Sequence, residues 1–352
     1  MRLVSPLLKR VAYPCLSQMG YLRRFAGEGQ LCVVTYHGVR PTGYEPIDPL
    51  LDGSLVTPAA LRSQLRLLKL HYNVVSPQEV RQWLDGETQL PPRAILLTCD
   101  DGLKNTLREM LPILQDEGLS CLFFVTGASV VEDPRMLWYE ELYLMLLAAP
   151  EGMLDVVELG VHEFLGRRDQ RRKLWSDMVK RLSRHDSAQR ALLMERARAQ
   201  CRLTADWKIG YWDDAARRER FWLLNAGQLR ELASSGMSIG AHTLSHPVLP
   251  ETSDDLAWTE ISASRSLLES TLKTPIWALA YPFGDPASVT ARETRMAKEA
   301  GFICAFVNFG GGFGSDLPAF AIPRVHVTAD MTLGEFEAHA SGFYRALRHR
   351  FA

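Results

Sequence analysis

The feature that most narrows the fold of this chain is a rhythm of short apolar runs, each ended by turn residues and separated by helix-spaced apolar positions. The runs are Leu31–Tyr36, Ala94–Thr98, Cys121–Val125, Ser238–Ala241, Ala278–Tyr281, Ile303–Phe306 and Phe320–Val325, and they read as buried strands. Between them, Leu61, Leu65 and Leu68, and then Leu107, Met110, Leu111 and Leu114, recur every three or four residues. Gln228–Ala233 and Asp255–Leu272 supply two more helices. Strands alternating with helices imply parallel pairing through βα crossovers. The expected class is α/β, a barrel or near-barrel whose chemistry collects at the carboxyl ends of its strands.

The middle of the chain breaks the rhythm. Residues 130–225 are charged, rich in Arg, Glu, Leu and Trp, and lack the strand signature, so they read as a helical insertion between two halves of one barrel. Within it, 163–202 reads as one or two amphipathic helices. Arg167, Arg168, Arg171, Arg172 and Lys173 read first as a solvated helix face, with a phosphate-bearing or lipid-linked substrate or a membrane surface as alternatives. The expected organisation is an amphipathic segment at 1–29, a barrel from 30–129 and 226–345, the insertion at 130–225, and a tail at 346–352.

With 352 residues the chain can bury one large core. A formal net charge of −1 points to no nucleic-acid partner. Six cysteines are scattered without a CxxC, which fits a reduced, cytoplasmic protein. Residues 1–28 mix Arg2, Lys9, Arg10, Arg23 and Arg24 with Leu, Val, Tyr and Phe, without the apolar core and cleavage site of a secretory signal. This segment either docks on the domain as an amphipathic helix or attaches peripherally to an anionic membrane face, the inner one for a cytoplasmic protein.

Two motifs carry ionisable groups where strands end: Thr98-Cys99-Asp100-Asp101-Gly102 and His242-Thr243-Leu244-Ser245-His246-Pro247. A divalent ion in a hydrolase needs a few protein ligands and an open position. His242 and His246, on one helical turn or in a tight loop before Pro247, can converge on one ion. Asp100 or Asp101 completes a His/His/Asp set suited to zinc or a neighbouring transition metal. Successive residues leaving a strand point to opposite sides, so one aspartate is left over as a general base. The other histidines, His71, His162, His185, His339 and His349, read as surface residues. Gly310–Gly314 lacks the Lys-Ser/Thr of a phosphate loop and reads as a mobile active-site loop.

Taken together, these motifs resemble those of the polysaccharide deacetylase family, the NodB-like carbohydrate esterases of family 4. Thr98–Gly102 is similar to its TFDDG motif, with Cys99 for the aromatic, and His242–Pro247 to its HS/TxxH motif. Ala280-Tyr281-Pro282-Phe283-Gly284 looks like its YPxG form, and Ile322-Pro323-Arg324-Val325-His326-Val327 falls where the last motif ends the barrel. Tyr36-His37-Gly38, Phe123–Gly127 and Ala300-Gly301-Phe302 also fit.

The resemblance implies a distorted (β/α)7 barrel that hydrolyses an N-acetyl group on a sugar of a polysaccharide, glycolipid or glycan precursor. It implies that Asp101, His242 and His246 hold a divalent metal, Zn2+ foremost, with Co2+, Ni2+ or Fe2+ as alternatives. Asp100 would be the base and His326 the acid. The Phe283 N–H would hold the oxyanion, with Tyr281, Pro282 and Gly284 shaping its approach. Many relatives open the third motif with an arginine that orients the base. Here that position is Ala280, and Arg324 is the expected substitute. His37, and either a lining or a packing Tyr36, fall beside the sugar pocket. Hydrolysis of another non-peptide C–N bond, or glycan binding without catalysis, remain alternative readings. The sequence leaves oligomeric state open.

Overall fold

The computed structural model describes residues 7–27, 30–131, 136–311 and 317–350. Its strands are β1 (Leu31–Tyr36), β2 (Asn73–Val75), β3 (Ala94–Cys99), β4 (Leu122–Val125), β5 (Gly152–Val156), β6 (Gly160–Phe164), β7 (Ser238–Ala241), β8 (Ala278–Ala280), β9 (Cys304–Gly310) and β10 (Ile322–His326). β1 pairs in parallel with both β3 and β10, which closes the circuit β1-β10-β9-β8-β7-β4-β3 into the expected seven-stranded parallel barrel. The distortion lies at β3. β2 takes the edge of Ala94–Leu96, leaving only Thr98 and Cys99 to pair with β4. Three residues are too few to leave a periodic signal, so β2 was invisible in the sequence.

Strand alternation decides what faces the lumen. Leu31 and Val33, Ala94 and Leu96, Leu122 and Phe124, and Cys304 and Phe306 form one buried cluster inside the barrel. Residues of opposite parity, such as Cys32, Val34, Ile95, Leu97 and Phe123, pack outward against the helices. Burial on both faces is why these strands read as unbroken apolar runs. Helix Pro58–His71 shows the outer layer: Thr57 caps its N-terminus through Ala60 N–H, Pro58 opens it, and Leu61, Leu65 and Leu68 are fully buried. Each such leucine contributes roughly 1.5–3 kcal/mol. Following the lumen parity upward from Val33, Leu96 and Ile322 gives Thr35, Thr98, Asp100 and Arg324, so the carboxyl end of the lumen is polar.

The segment 130–225 is not wholly helical. It holds helices Trp138–Ala148, Arg168–Leu182 and Ser187–Gln200, but also the antiparallel hairpin β5–β6. Leu154 and Val156 of β5, Val157 of the turn and Phe164 of β6 are buried, against Leu174 and Met178, and the remaining strand residues are exposed. A half-exposed hairpin alternates polar with apolar residues and merges into charged surroundings. Arg167, Arg168, Arg172 and Lys173 face solvent, and Arg171 donates to Gly166 O at 2.6 Å.

At the N-terminus, Tyr13 and Leu22 bury against Ala338, while Lys9 and Arg23 pair with Asp330 and Glu337 at 2.7 and 2.8 Å. The segment is therefore docked on helix Leu333–Ala340. Residues 346–350 are no tail. They continue helix Phe343–Arg350, because Phe343 has a site against Phe25 with ring centroids 4.9 Å apart. His339 is no surface residue either: it lies half-buried under the Tyr344 ring at 4.1 Å, and burial lowers its pKa to about 4. The side chain of His349 lies outside the described residues.

Candidate active site

Asp100 follows β3 on the lumen side and meets Arg324 of β10 in a two-pronged ion pair, Nη1–Oδ1 2.7 Å and Nη2–Oδ2 2.6 Å. Arg324 is only 1% exposed; it also donates to Val307 O, Thr35 Oγ1 and Thr98 Oγ1, with Phe124 and Phe306 rings beside it. Burial pushes the Asp100 carboxyl up, but Arg324, aided by His242 and His37, overrides this and holds it below its ordinary value. Gly311 packs directly on the backbone of β10, where a Cβ would lie 2.2 Å from Arg324 O. The run's remainder, Gly312–Gly314, lies outside the described residues.

Asp101 would point away from the lumen if the strand continued. Its φ of 77° turns the side chain back beside Asp100, a left-handed conformation that aspartate tolerates better than most residues. Thr243, His246 and Phe283 also have positive φ, so four of the eight such non-glycine residues among those described fall in these motifs. Backbone strain is concentrated where the site is assembled.

The His242–His246 segment is a tight loop, not a helical turn. His242 N–H donates to Val125 O at 2.9 Å, and its Nδ1 meets the Ala280 carbonyl at 2.7 Å. That bond places the imidazole proton on Nδ1 and leaves Nε2 open as a ligand. The two Nε2 atoms lie 3.6 and 3.5 Å from Asp101 Oδ1, and the three buried donors all fall within 4.8 Å of one another. Ligands about 2.1 Å from one tetrahedral ion sit roughly 3.4 Å apart. The set therefore fits a single divalent ion. Burial and its neighbour His242 lower the His246 pKa to about 3, leaving it an unprotonated ligand at neutral pH.

The loop is gripped from outside the barrel. Trp138 Nε1 donates to Ser245 O at 2.9 Å, Arg190 Nη1 to Ser245 Oγ at 2.9 Å, and Ser245 N–H to Glu260 Oε2 at 2.8 Å. Trp138 and Arg190 belong to the 130–225 segment, and no spacing or motif there signals either contact.

Asp100, Asp101, His242 and His246 open onto a cavity of about 260 Å³ that is also lined by His37, Ser54, Tyr139, Trp175, Phe283 and His326. His326 Nε2 meets Ser54 Oγ at 3.1 Å, and its ring lies 4.6 Å from that of His37. Burial, with help from His37 and Arg324, lowers its pKa to about 3. Phe283 packs its ring on His246 at 4.8 Å, and its N–H meets no backbone acceptor among the described residues. Pro282 is buried, and Gly284 packs where a Cβ would stand 2.7 Å from Asn308 N.

Tyr281 and Tyr36 do not line the cavity. Tyr281 is 1% exposed with its hydroxyl on Phe320 O at 3.0 Å, and Tyr36 is fully buried with its hydroxyl on Gln64 at 3.1 Å. Both are packing residues. In the cavity wall, Arg220 is buried between Asp52 (2.8 Å) and Glu140 (2.7 Å). One cation faces two buried carboxylates. Burial therefore raises Glu140 to about 7 despite Arg220.

A family model described as polysaccharide deacetylase matches residues 87–165 and 195–304, more than half of the chain. Among solved structures, the chain resembles the deacetylase PplD of Streptococcus pyogenes in complex with acetate, with a TM-score of 0.54 at 17% identity over 89% of this chain and 99% of that one. IcaB from Ammonifex degensii gives a TM-score of 0.54 at 19% identity over 90% and 98%. A de-N-acetylase from Aggregatibacter actinomycetemcomitans gives 0.54 at 14% over 88% and 98%. These likenesses establish the fold. No curated protein matches the chain.

Proposed function

Because this chain belongs to the polysaccharide deacetylase family, we propose that it removes the acetyl group from an N-acetylated sugar of a polysaccharide, glycolipid or glycan precursor. The observation that carries the reading is the single cavity onto which an ionised Asp100 and the set Asp101, His242 and His246 both open. The named activity of the structural relatives points the same way.

Asp101, His242 and His246 would hold the ion, with Zn2+ the best match to two imidazoles and a carboxylate. When bound, it supplies a Lewis acid that acidifies water and polarises the acetyl carbonyl. Asp100 takes the proton of the attacking water, and Arg324 fixes its orientation and keeps it ionised. As the carbonyl carbon becomes tetrahedral, the Phe283 N–H donates to the developing oxyanion. The C–N bond then breaks and the sugar nitrogen needs a proton, which His326, at the cavity wall with Ser54 orienting its ring, delivers. His326 is neutral beforehand. As negative charge develops beside it, it takes up a proton from solvent and passes that proton to the nitrogen, while Asp100 sheds the water proton to solvent as the products leave. Tyr139, Trp175 and Phe283 supply apolar walls for the sugar ring.

The test is acetate release by the purified, metal-replete protein from N-acetylhexosamine oligomers and from lipid- or nucleotide-linked N-acetylhexosamines. Acetate from any of these supports the reading. Turnover of other linear or cyclic amides, with acetate from none, would replace it with a different C–N hydrolase.

A further inference from the structure

The docked N-terminal segment is apolar on two sides. Its inner side, Tyr13, Ser17 and Leu22, is consumed by helix Leu333–Ala340. Its outer side leaves Leu7 68%, Val11 51% and Met19 72% exposed, with Leu8 and Tyr21 beside them. Leu7, Leu8 and Val11 lie three to four residues apart, and the exposed Cys15 carries the same four-residue step on to Met19, so these residues form one stripe. A docked helix that needs only one apolar face has no use for a second, and clustered exposed apolar residues mark an interaction surface.

Charge identifies the partner. Residues 1–25 and 341–352 carry eight Lys and Arg and not one Asp or Glu, in a chain whose net charge is −1. The fold brings these two ends together: Tyr21 and Phe25 pack on Phe343, with ring centroids 6.3 and 4.9 Å apart. Lys9 and Arg23 are used to fasten the segment to the barrel, whereas Arg10 and Arg24 are exposed beside the apolar stripe. A stripe of Leu, Val, Met and Tyr flanked by cations matches an anionic bilayer surface, into which apolar side chains insert while cations meet lipid phosphates.

The stripe also has a meaningful position. Thr332 Oγ1 donates to Lys9 O at 3.1 Å, and Asp330 pairs with Lys9, so the segment begins against the loop that leaves the carboxyl end of β10. That loop starts beside His326, and its Ala329 N–H is bonded to Gly53 O, next to Ser54 of the cavity.

We infer that the chain docks on an anionic membrane through the outer stripe of residues 7–21 and the joined basic termini, with its cavity at the bilayer surface. The substrate such docking favours is a lipid-linked acetylated glycan. That consequence rests on the deacetylase reading, and the docking itself does not.

The test is cosedimentation of the full chain, without substrate, with vesicles of phosphatidylcholine containing roughly a third phosphatidylglycerol, against pure phosphatidylcholine. The expected result is binding to the anionic vesicles that weakens with salt, and little to the neutral ones. The double variants Val11→Glu/Met19→Glu and Arg10→Glu/Arg24→Glu each lower partitioning by about tenfold or more. Both keep the wild-type circular dichroism and the same acetate release from soluble oligomers. Failure of the wild type to bind anionic vesicles at low salt overturns the inference. So does unchanged binding by both variants, or a wild-type dimer held together through this stripe.

Discussion

Arg324 occupies both carboxylate oxygens of Asp100 from the far end of the chain, at 2.7 and 2.6 Å, inside the barrel lumen. The position where many relatives carry the orienting arginine is Ala280 here, and its carbonyl instead accepts from His242. The last strand supplies the cation, and the Ala280 carbonyl fixes the tautomer of a candidate metal ligand.

Replacing Arg324 with Met removes the charge and strands a buried carboxylate. Asp100 loses what holds its pKa down, so burial drives it upward. The acid limb of the kcat profile should move to higher pH and kcat should fall by about 10²-fold or more. Arg324→Lys should recover part of both. pH–rate profiles of the two variants decide this; an unmoved acid limb would show that Asp100 is not the base.

His326 is neutral above about pH 3 in the free protein. The kcat/KM profile should therefore show no His326 inflection between pH 5 and 8. His326→Gln should lower kcat by about 10²–10⁴-fold without changing metal content. Metal analysis alongside kinetics checks both halves.

Glu140 carries a stability signature. Its pKa in the folded chain is raised from the ordinary glutamate value to about 7. Its contribution is fully present below the unfolded pKa and is lost as pH rises through about 7. Glu140→Gln, which cannot ionise, should flatten the decline in stability from about pH 4.5 to 7. Denaturant midpoints of both proteins across that range read this out.

Arg190 grips the loop between the two histidines from the 130–225 segment, through Ser245 and against the Trp138 ring at 4.6 Å. It is not among the residues that line the cavity. Arg190→Ala should weaken metal affinity by about 10–100-fold, as loss of outer-shell support typically does. At saturating metal most of kcat should return. Metal titration followed by kinetics separates this positioning role from a general loss of stability.

The barrel was legible because strands buried on both faces leave continuous apolar runs, as at Leu31–Tyr36. The ligand set was legible as short motifs at strand ends. What stayed hidden depends on geometry that residue spacing does not encode. The positive φ of Asp101 reverses a side chain that simple alternation sends outward. Tyr281 looked like part of the site because it adjoins Pro282 and Phe283, yet its ring turns into the core. Tyr139, Trp175 and Glu140 reach the cavity from a segment whose charge density masked them. A buried arginine such as Arg220 leaves no signature in sequence, because only the fold brings Asp52 and Glu140 around it.

Bound metal and acetate release, measured on the same preparation for the wild type, Asp100→Asn and His246→Ala, separate the roles of ligand and base. The wild type should hold one divalent ion per chain and release acetate, an activity that a chelator abolishes and metal restores. Asp100→Asn should keep the ion without turnover, and His246→Ala should lose both. Undiminished acetate release by metal-free protein, or by Asp100→Asn, would contradict these roles.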